Sequence, residues 1–302
     1  MSQASIVIEN LTKRYPGSDR NALDKISLSV NQGEVYGFLG PNGAGKSTTI
    51  RLLMNFIKPT AGGATILGQD IVADSVEIKR HVGYLSSDLP MYPKMTGKQF
   101  LAYMDELQPA KNQTYINELS KRLRAETHKK LGELSRGNRQ KIGIIQAFMH
   151  QPNIMILDEP TSGLDPLMQE VFYELIDEAK QRGASIFVSS HILSEVQKMC
   201  DRVGIIRGGQ LITERDIAEM AHEAAQTFEI EFSSKAPTTQ LRRIKGAKIV
   251  DSDDNKVTIH IHGNLSPFFG ELSKHNVVKM DARNLDLEEV FLRFYQDKEP
   301  KK

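Results

Sequence analysis

Residues 40–48 read GPNGAGKST. The stretch closes an apolar run, EVYGFLG, and opens TTIRLLMNFI, whose apolar residues recur at helical spacing. A turn between a strand and a helix with this glycine spacing leaves few folding options. Gly40, Gly43 and Gly45 let backbone N–H groups turn inward around an anion, and the following helix adds its positive N-terminal end. The pattern fits G-x-x-x-x-G-K-[ST]. The cradle is Gly40, Pro41, Asn42, Gly43, Ala44, Gly45 and Thr48. Lys46 would reach the β- and γ-phosphates of a nucleotide, and the Ser47 hydroxyl would ligate Mg²⁺.

A second apolar run, IMILDEP, ends in two acids. After a phosphate loop, this is where a metal acid and a base are expected. Asp158 would hold Mg²⁺, commonly through water. Glu159, one residue on, can polarise an attacking water at the γ-phosphate.

The surrounding pattern predicts an α/β fold. SIVIENLTKRY, ALDKISLSV and EVYGFLG read as strands. TTIRLLMNFI is predicted to be helical as far as Lys58-Pro59, and GGATILGQDI to be a short strand and turn. Between about residues 90 and 133, KQFLAYMDEL, TYINELSKRL and THKKLGEL are charged, amphipathic and predicted helical, an insertion spanning about 89–150 with its flanks. NIMILDE, ASIFVSS and DRVGII then alternate with LMQEVFYELIDEAKQRG, predicted to end at Gly183, and ILSEVQKMC. This alternation argues for a parallel sheet with helices on both faces. ERDIAEMAHEAA (214–225) reads as a linking helix. The tail runs strand, helix, strand, strand, helix, strand from TFEIEF to VVKMDAR, the order of a split βαβ, ferredoxin-like unit. A last helix, DLEEVFLRFYQ, precedes the charged DKEPKK. The expected division is a domain over 1–218 and an accessory domain over 226–302.

Composition excludes several classes. The 302 residues carry a net charge of +1, no nucleic-acid footprint. KRLRAETHKK (121–130) mixes both signs, as a solvated helix face does. The single cysteine, Cys200, rules out an internal disulfide framework and, beside an apolar helix stripe, reads as core. No run approaches the roughly 20 apolar residues that span a bilayer, and MSQASIVIEN does not read as a secretory signal. The chain is expected to reach a membrane only through a partner.

The phosphate loop, LSRGN (134–138), ILDEP, SGLD (162–165) and the histidine of SSH (189–191) stand in the order and spacing of ABC-type ATPases. The chain resembles that family over about residues 4–215. The resemblance implies a P-loop NTPase core binding ATP and Mg²⁺. It implies that Tyr15 stacks on adenine, that Ser135 and Gly137 close over a γ-phosphate, that Asp165 crosses a dimer interface, and that His191 contacts the γ-phosphate and supports Glu159. Two such subunits face each other head to tail, so LSRGN would serve the ATP held by the opposite loop. The helix it begins would offer N–H groups, the Ser135 hydroxyl and a dipole.

This chain departs from the family in two places. Arg136 and Asn138 stand where Gly and Gln are common. Ser87, in VGYLSSDLPMYPKMT, stands where a glutamine usually touches the metal; serine is shorter, leaving the gap to a water or to Asp88. The tail of roughly 75 residues containing DLEEVFL resembles that of the ATPase subunits of ABC-2-type exporters. That resemblance implies export through separate permeases of about six spans each, and a cytoplasmic chain on the inner face of the membrane. Two other readings remain. A soluble ABC-type ATPase without a permease more often carries tandem ATPase domains or inserts. A GTPase needs N-K-x-D, and the only N-K is Asn255-Lys256-Val257-Thr258. The tail reads as a dimer-stabilising or regulatory cap, with Phe268, Phe269, Phe291, Phe294 and Tyr295 at core-like spacing.

Overall fold

In the computed structural model, residues 4–87, 92–108, 111–223, 226–261 and 263–284 are described below. The chain divides into two compact units, Met1–Arg215 and Asp216–Lys302.

The first unit opens with strands β1 (Ala4–Arg14), β2 (Asn21–Asn31) and β3 (Val35–Leu39), then helix α1 (Lys46–Leu53). β4 (Ala61–Ile66) and β5 (Gln69–Asp70) follow, then α2 (Ser75–His81) and β6 (Val82–Leu85). The inserted helices are α3 (Gly97–Glu106), α4 (Gln113–Arg122) and α5 (Arg136–Phe148). The unit then alternates through β7 (Ile154–Asp158), α6 (Pro166–Gln181), β8 (Ser185–Ser190), α7 (Leu193–Met199), β9 (Arg202–Arg207) and β10 (Gln210–Asp216).

These strands make two sheets. One has the order β2-β1-β4-β5, and its strands pair antiparallel. The other has the order β10-β9-β3-β8-β7-β6, with parallel pairing from β9 to β6. One apolar core joins them: Ile6, Ile8, Leu28 and Val30 from the first sheet pack with Phe38, Ile156 and Phe187 of the second and with Leu52 and Leu53 of α1. β3, β7 and β8 are buried along their whole length, which explains the apolar runs VYGFL, IMIL and IFV within them. Parallel strands bring their C-terminal ends to one edge. There β3, β8, β7 and β6 deliver the Lys46 loop, His191, the Asp158–Glu159 pair and Ser87 side by side.

Three expectations need correction. α1 ends at Leu53, short of Lys58-Pro59. Asn55 takes a left-handed conformation, with φ 51°. Asn55 N–H then bonds Leu52 O at 2.9 Å, and Phe56 N–H bonds Arg51 O at 2.8 Å, a closure that satisfies the last carbonyls. THKKLGEL is not an α-helix; only a 3₁₀ turn forms, at Leu131–Glu133. Its backbone is engaged elsewhere: Thr127 O and Lys129 O accept from Lys98 and Gly97, and Leu131 N–H donates to Met95 O. The linking helix, α8 (Ile217–Glu223), is shorter than expected, because Glu214–Asp216 belong to β10. Sequence reading also missed α2 and β6, both short elements.

KRLRAETHKK does form a charged surface, but not a purely solvated one. Arg122 reaches from α4 to Glu178 of α6, at 2.7 Å. Cys200 is buried, and burial pushes its thiol pKa well up, so it is a poor nucleophile.

The second unit continues with β11 (Gln226–Phe232), α9 (Thr238–Leu241), β12 (Ala247–Asp253), β13 (Lys256–Ile261), α10 (Ser266–Leu272) and β14 (Val277–Asn284). The sheet order is β12-β13-β11-β14, every pair antiparallel, which is the ferredoxin-like arrangement. Alternation along β11 and β13 puts Phe228, Ile230, Phe232, Val257, Ile259 and Ile261 in one core with Leu241, Phe268 and Leu272. Phe269 is 42% exposed. Neighbouring helical positions point about 100° apart, so α10 buries Phe268 and leaves Phe269 at the rim. Phe291, Phe294, Tyr295 and the expected last helix lie outside the described residues. Among the described residues no helix is long and apolar enough to cross a membrane.

Candidate nucleotide site

A cavity of about 380 Å³ opens at the strand ends. It is lined by residues 41–43 and 45–48 of the loop, by Ser87, Glu159 and His191, and by Ala22, Arg136 and Ser162. Gly45 opens α1 with φ 117°, and a Cβ there would lie 2.6 Å from Leu23 Cδ2, so only glycine fits this corner. Lys46 begins the helix almost fully buried. Its ammonium donates to Gly40 O at 2.6 Å and Pro41 O at 3.2 Å, and stands 3.3 Å from Glu159 Oε1. An incoming phosphate would compete for these contacts.

Glu159 stands just past β7 with φ 49°. For a glutamate this left-handed conformation costs on the order of 1–3 kcal/mol and persists only where the surroundings enforce it. His191 Nδ1 lies 2.7 Å from Glu159 Oε2. Glu159 therefore contacts Lys46 with one oxygen and His191 with the other.

Asp158 is buried and does not line the cavity. Ser87, which does, donates to Asp158 Oδ2 at 3.0 Å, and Ser189 donates to Oδ1 at 2.5 Å. This arrangement suits a metal reached through water. Among the described residues no group of three or more His, Cys, Asp or Glu side chains could hold a metal. One hydroxyl and one carboxylate fit Mg²⁺, which takes the rest of its oxygen shell from substrate phosphates and water. Asp88 lies outside the described residues.

Besides Asp158, the expected site residues Gly40, Ala44, Tyr15, Ser135, Gly137 and Asp165 do not line the cavity. Ser135 is exposed and caps α5, accepting from Asn138 N–H at 3.2 Å. Gly137 packs so closely on the 162–165 loop that a Cβ would lie 2.5 Å from Gly163 O. Asp165 is exposed and caps α6 through Met168 N–H at 3.0 Å. Tyr15 sits near the loop, its hydroxyl 3.5 Å from Thr48 Oγ1, with Lys13 over its ring.

Sequence reading missed Ser189, Thr161, Gln140 and Glu195. Arg136, noted there only as a departure, donates to Ser162 Oγ at 2.8 Å and so ties LSRGN to SGLD. Gln140 left one signal, a polar residue on the face of α5 that otherwise carries Ile144 and Phe148.

The fold and site define an ATP-binding cassette. The family model described as ABC transporter matches residues 23–162. The bacitracin transport ATP-binding protein BcrA of Bacillus licheniformis is 34% identical over 293 residues, 94% of this chain and 95% of that one. A solved ATP-binding subunit of an ABC transporter is 28% identical, with a TM-score of 0.65 over 71% of this chain and 91% of that chain. A dimeric bacterial ABC transporter cassette, 22% identical, shares the fold with a TM-score of 0.65 over 70% of this chain and 98% of its own. The chain belongs to the ABC transporter family, as an ATP-binding subunit that hydrolyses ATP.

Proposed function

We propose that two copies of this chain close head to tail around two Mg·ATP and drive export through separate integral-membrane permease subunits. Each copy contributes a phosphate loop to its own nucleotide. Ser135, Gly137 and Asp165 act on the nucleotide of the opposite copy. Glu159 polarises the attacking water, His191 orients Glu159 and contacts the γ-phosphate, and Lys46 holds the phosphates. Tyr15 stacks on adenine. Bound Mg²⁺, held by Ser47 and, through water, by Asp158, would neutralise phosphate charge. The chain works in the cytoplasm on the inner face of the membrane, and the motion of closing and reopening passes to the permease.

The observation that carries this reading is the split between two sets of residues. Lys46, Ser47, Glu159 and His191 meet at one cavity, whereas Ser135 and Asp165 are exposed, each at the start of a helix, and do not line it. Exposed helix starts suit a second, approaching nucleotide. The dimeric state of a cassette with this fold supports the pairing. Export is supported by the resemblance of the tail to ABC-2-type subunits and by the nearly full-length match to a bacitracin transport ATP-binding protein.

The test is Glu159→Gln. ATP binding should persist at the parent affinity while turnover drops by about two orders of magnitude or more, in the range typical of a lost general base. Hydrolysis near the parent rate would remove Glu159 from that role.

A further inference from the structure

We propose that Gln140 and Glu195 are positioning residues that hold the turn after β7 in the conformation bringing Glu159 to His191 and Lys46. The inference rests on Glu159 being the base.

A glutamate at φ 49° does not stay there by local preference. Groups from three elements oppose its relaxation. From β8, Ser189 accepts the Glu159 N–H through both its carbonyl and its hydroxyl oxygen, each at 3.2 Å. From α5, Gln140 Nε2 donates to Pro160 O at 2.7 Å. From α7, Glu195 Oε1 accepts the Thr161 hydroxyl at 2.6 Å, and its other oxygen accepts the Ser190 hydroxyl at 2.8 Å. Ser190 Oγ in turn accepts the Ile192 N–H at 3.0 Å. One carboxylate thus ties the loop two residues past Glu159 to both neighbours of His191.

Burial separates these groups from the nucleotide. Gln140 and Glu195 are each 5% exposed, Thr161 3% and Ser190 0%. Neither Gln140 nor Glu195 lines the cavity. A buried carboxylate bonded to two hydroxyls is an expensive way to fill space, and it gives direction that an apolar side chain cannot. Gln140 also stands on the helix that Ser135 caps. A shift of α5 therefore reaches the Glu159 turn through one hydrogen bond.

Six full-length variants test this by steady-state ATP hydrolysis: Glu159→Gln, Glu195→Ala, Glu195→Gln, Gln140→Glu, and Glu159→Gln combined with Glu195→Ala or with Gln140→Glu. Glutamine at 195 keeps an acceptor for Thr161 and can donate to Ser190. Glutamate at 140 keeps the shape and removes the donor facing Pro160 O. Glu195→Ala and Gln140→Glu should lower kcat by about tenfold to a hundredfold, as a displacement near 1 Å does. KM for ATP should stay within about twofold, since ground-state binding is untouched. Glu195→Gln should restore kcat, and neither loss should add to that of Glu159→Gln. Should Glu195→Ala not fold, Thr161→Val replaces it, removing one hydroxyl. An unchanged kcat in Glu195→Ala, a parallel change in KM, or additive losses would overturn the positioning role. Glu159→Gln hydrolysing at the parent rate would overturn the base assignment and this inference together. An inactive Glu159→Gln beside an active Glu195→Ala would overturn the inference alone.

Discussion

Ser87 gives Asp158 one of its two hydroxyl partners. This serine lines the cavity and meets Asp158, proposed to hold the metal, from the cavity side. A hydrogen bond to a carboxylate contributes about 1.5–3 kcal/mol. Ser87→Ala should therefore raise the Mg²⁺ concentration for half-maximal hydrolysis by about tenfold or somewhat more. Fluorescent-nucleotide binding without Mg²⁺ should not move. A changed metal-free affinity would place Ser87 on the nucleotide instead. Lys46, Ser47, Glu159 and His191 were legible in the sequence because each ends or follows an apolar strand in a motif of fixed spacing. Ser189, Thr161 and Glu195 were not. Their partners lie 31 to 34 residues away or pass through a hydroxyl, and no periodicity marks such a pair.

Among the elements, α5 links three places. Its start is capped by Ser135, its middle places Gln140 on the Glu159 turn, and its end packs on β6, where a Cβ on Gly83 would lie 2.2 Å from Ala147 O. His150 follows this end. Burial pushes its imidazole pKa down, against a smaller opposing effect of the Val82 backbone. The folded state thus holds the neutral ring, while the unfolded chain protonates near pH 6.5. Stability should be full above that value and fall as pH drops from it through the lower folded pKa. Thermal unfolding scanned from pH 7.5 to 5 should show a shallower decline for His150→Gln than for the parent. Equal slopes would remove His150 from the acid response. Helix and strand types were legible wherever amphipathic or apolar runs were long, as in α6 and β7. THKKLGEL misled because helical spacing says nothing of backbone partners 30 residues upstream. α2 and β6 were too short for periodicity to separate them from a loop.

At the scale of the whole molecule, the decisive question is whether one chain or two make a working site. Ser135 allows a clean test because its two proposed roles can be separated. Within the chain, its hydroxyl caps α5 through Asn138 N–H. Aspartate caps a helix start about as well as serine, so Ser135→Asp should leave the fold and thermal stability near those of the parent. Between chains, the same change would bring a negative charge against the γ-phosphate of the opposite nucleotide. Like charges brought together across an interface cost several kcal/mol. In the Glu159→Gln background, Mg·ATP should convert the protein from monomer to dimer in sedimentation velocity. The added Ser135→Asp should leave it monomeric at concentrations up to about a hundredfold higher, since each 1.4 kcal/mol is tenfold in affinity. ATP should still bind each monomer with unchanged affinity, because Ser135 lies outside that chain's own cavity. Dimers that persist, or ATP binding lost in the monomer, would show that Ser135 acts within its own subunit and that head-to-tail closure is wrong.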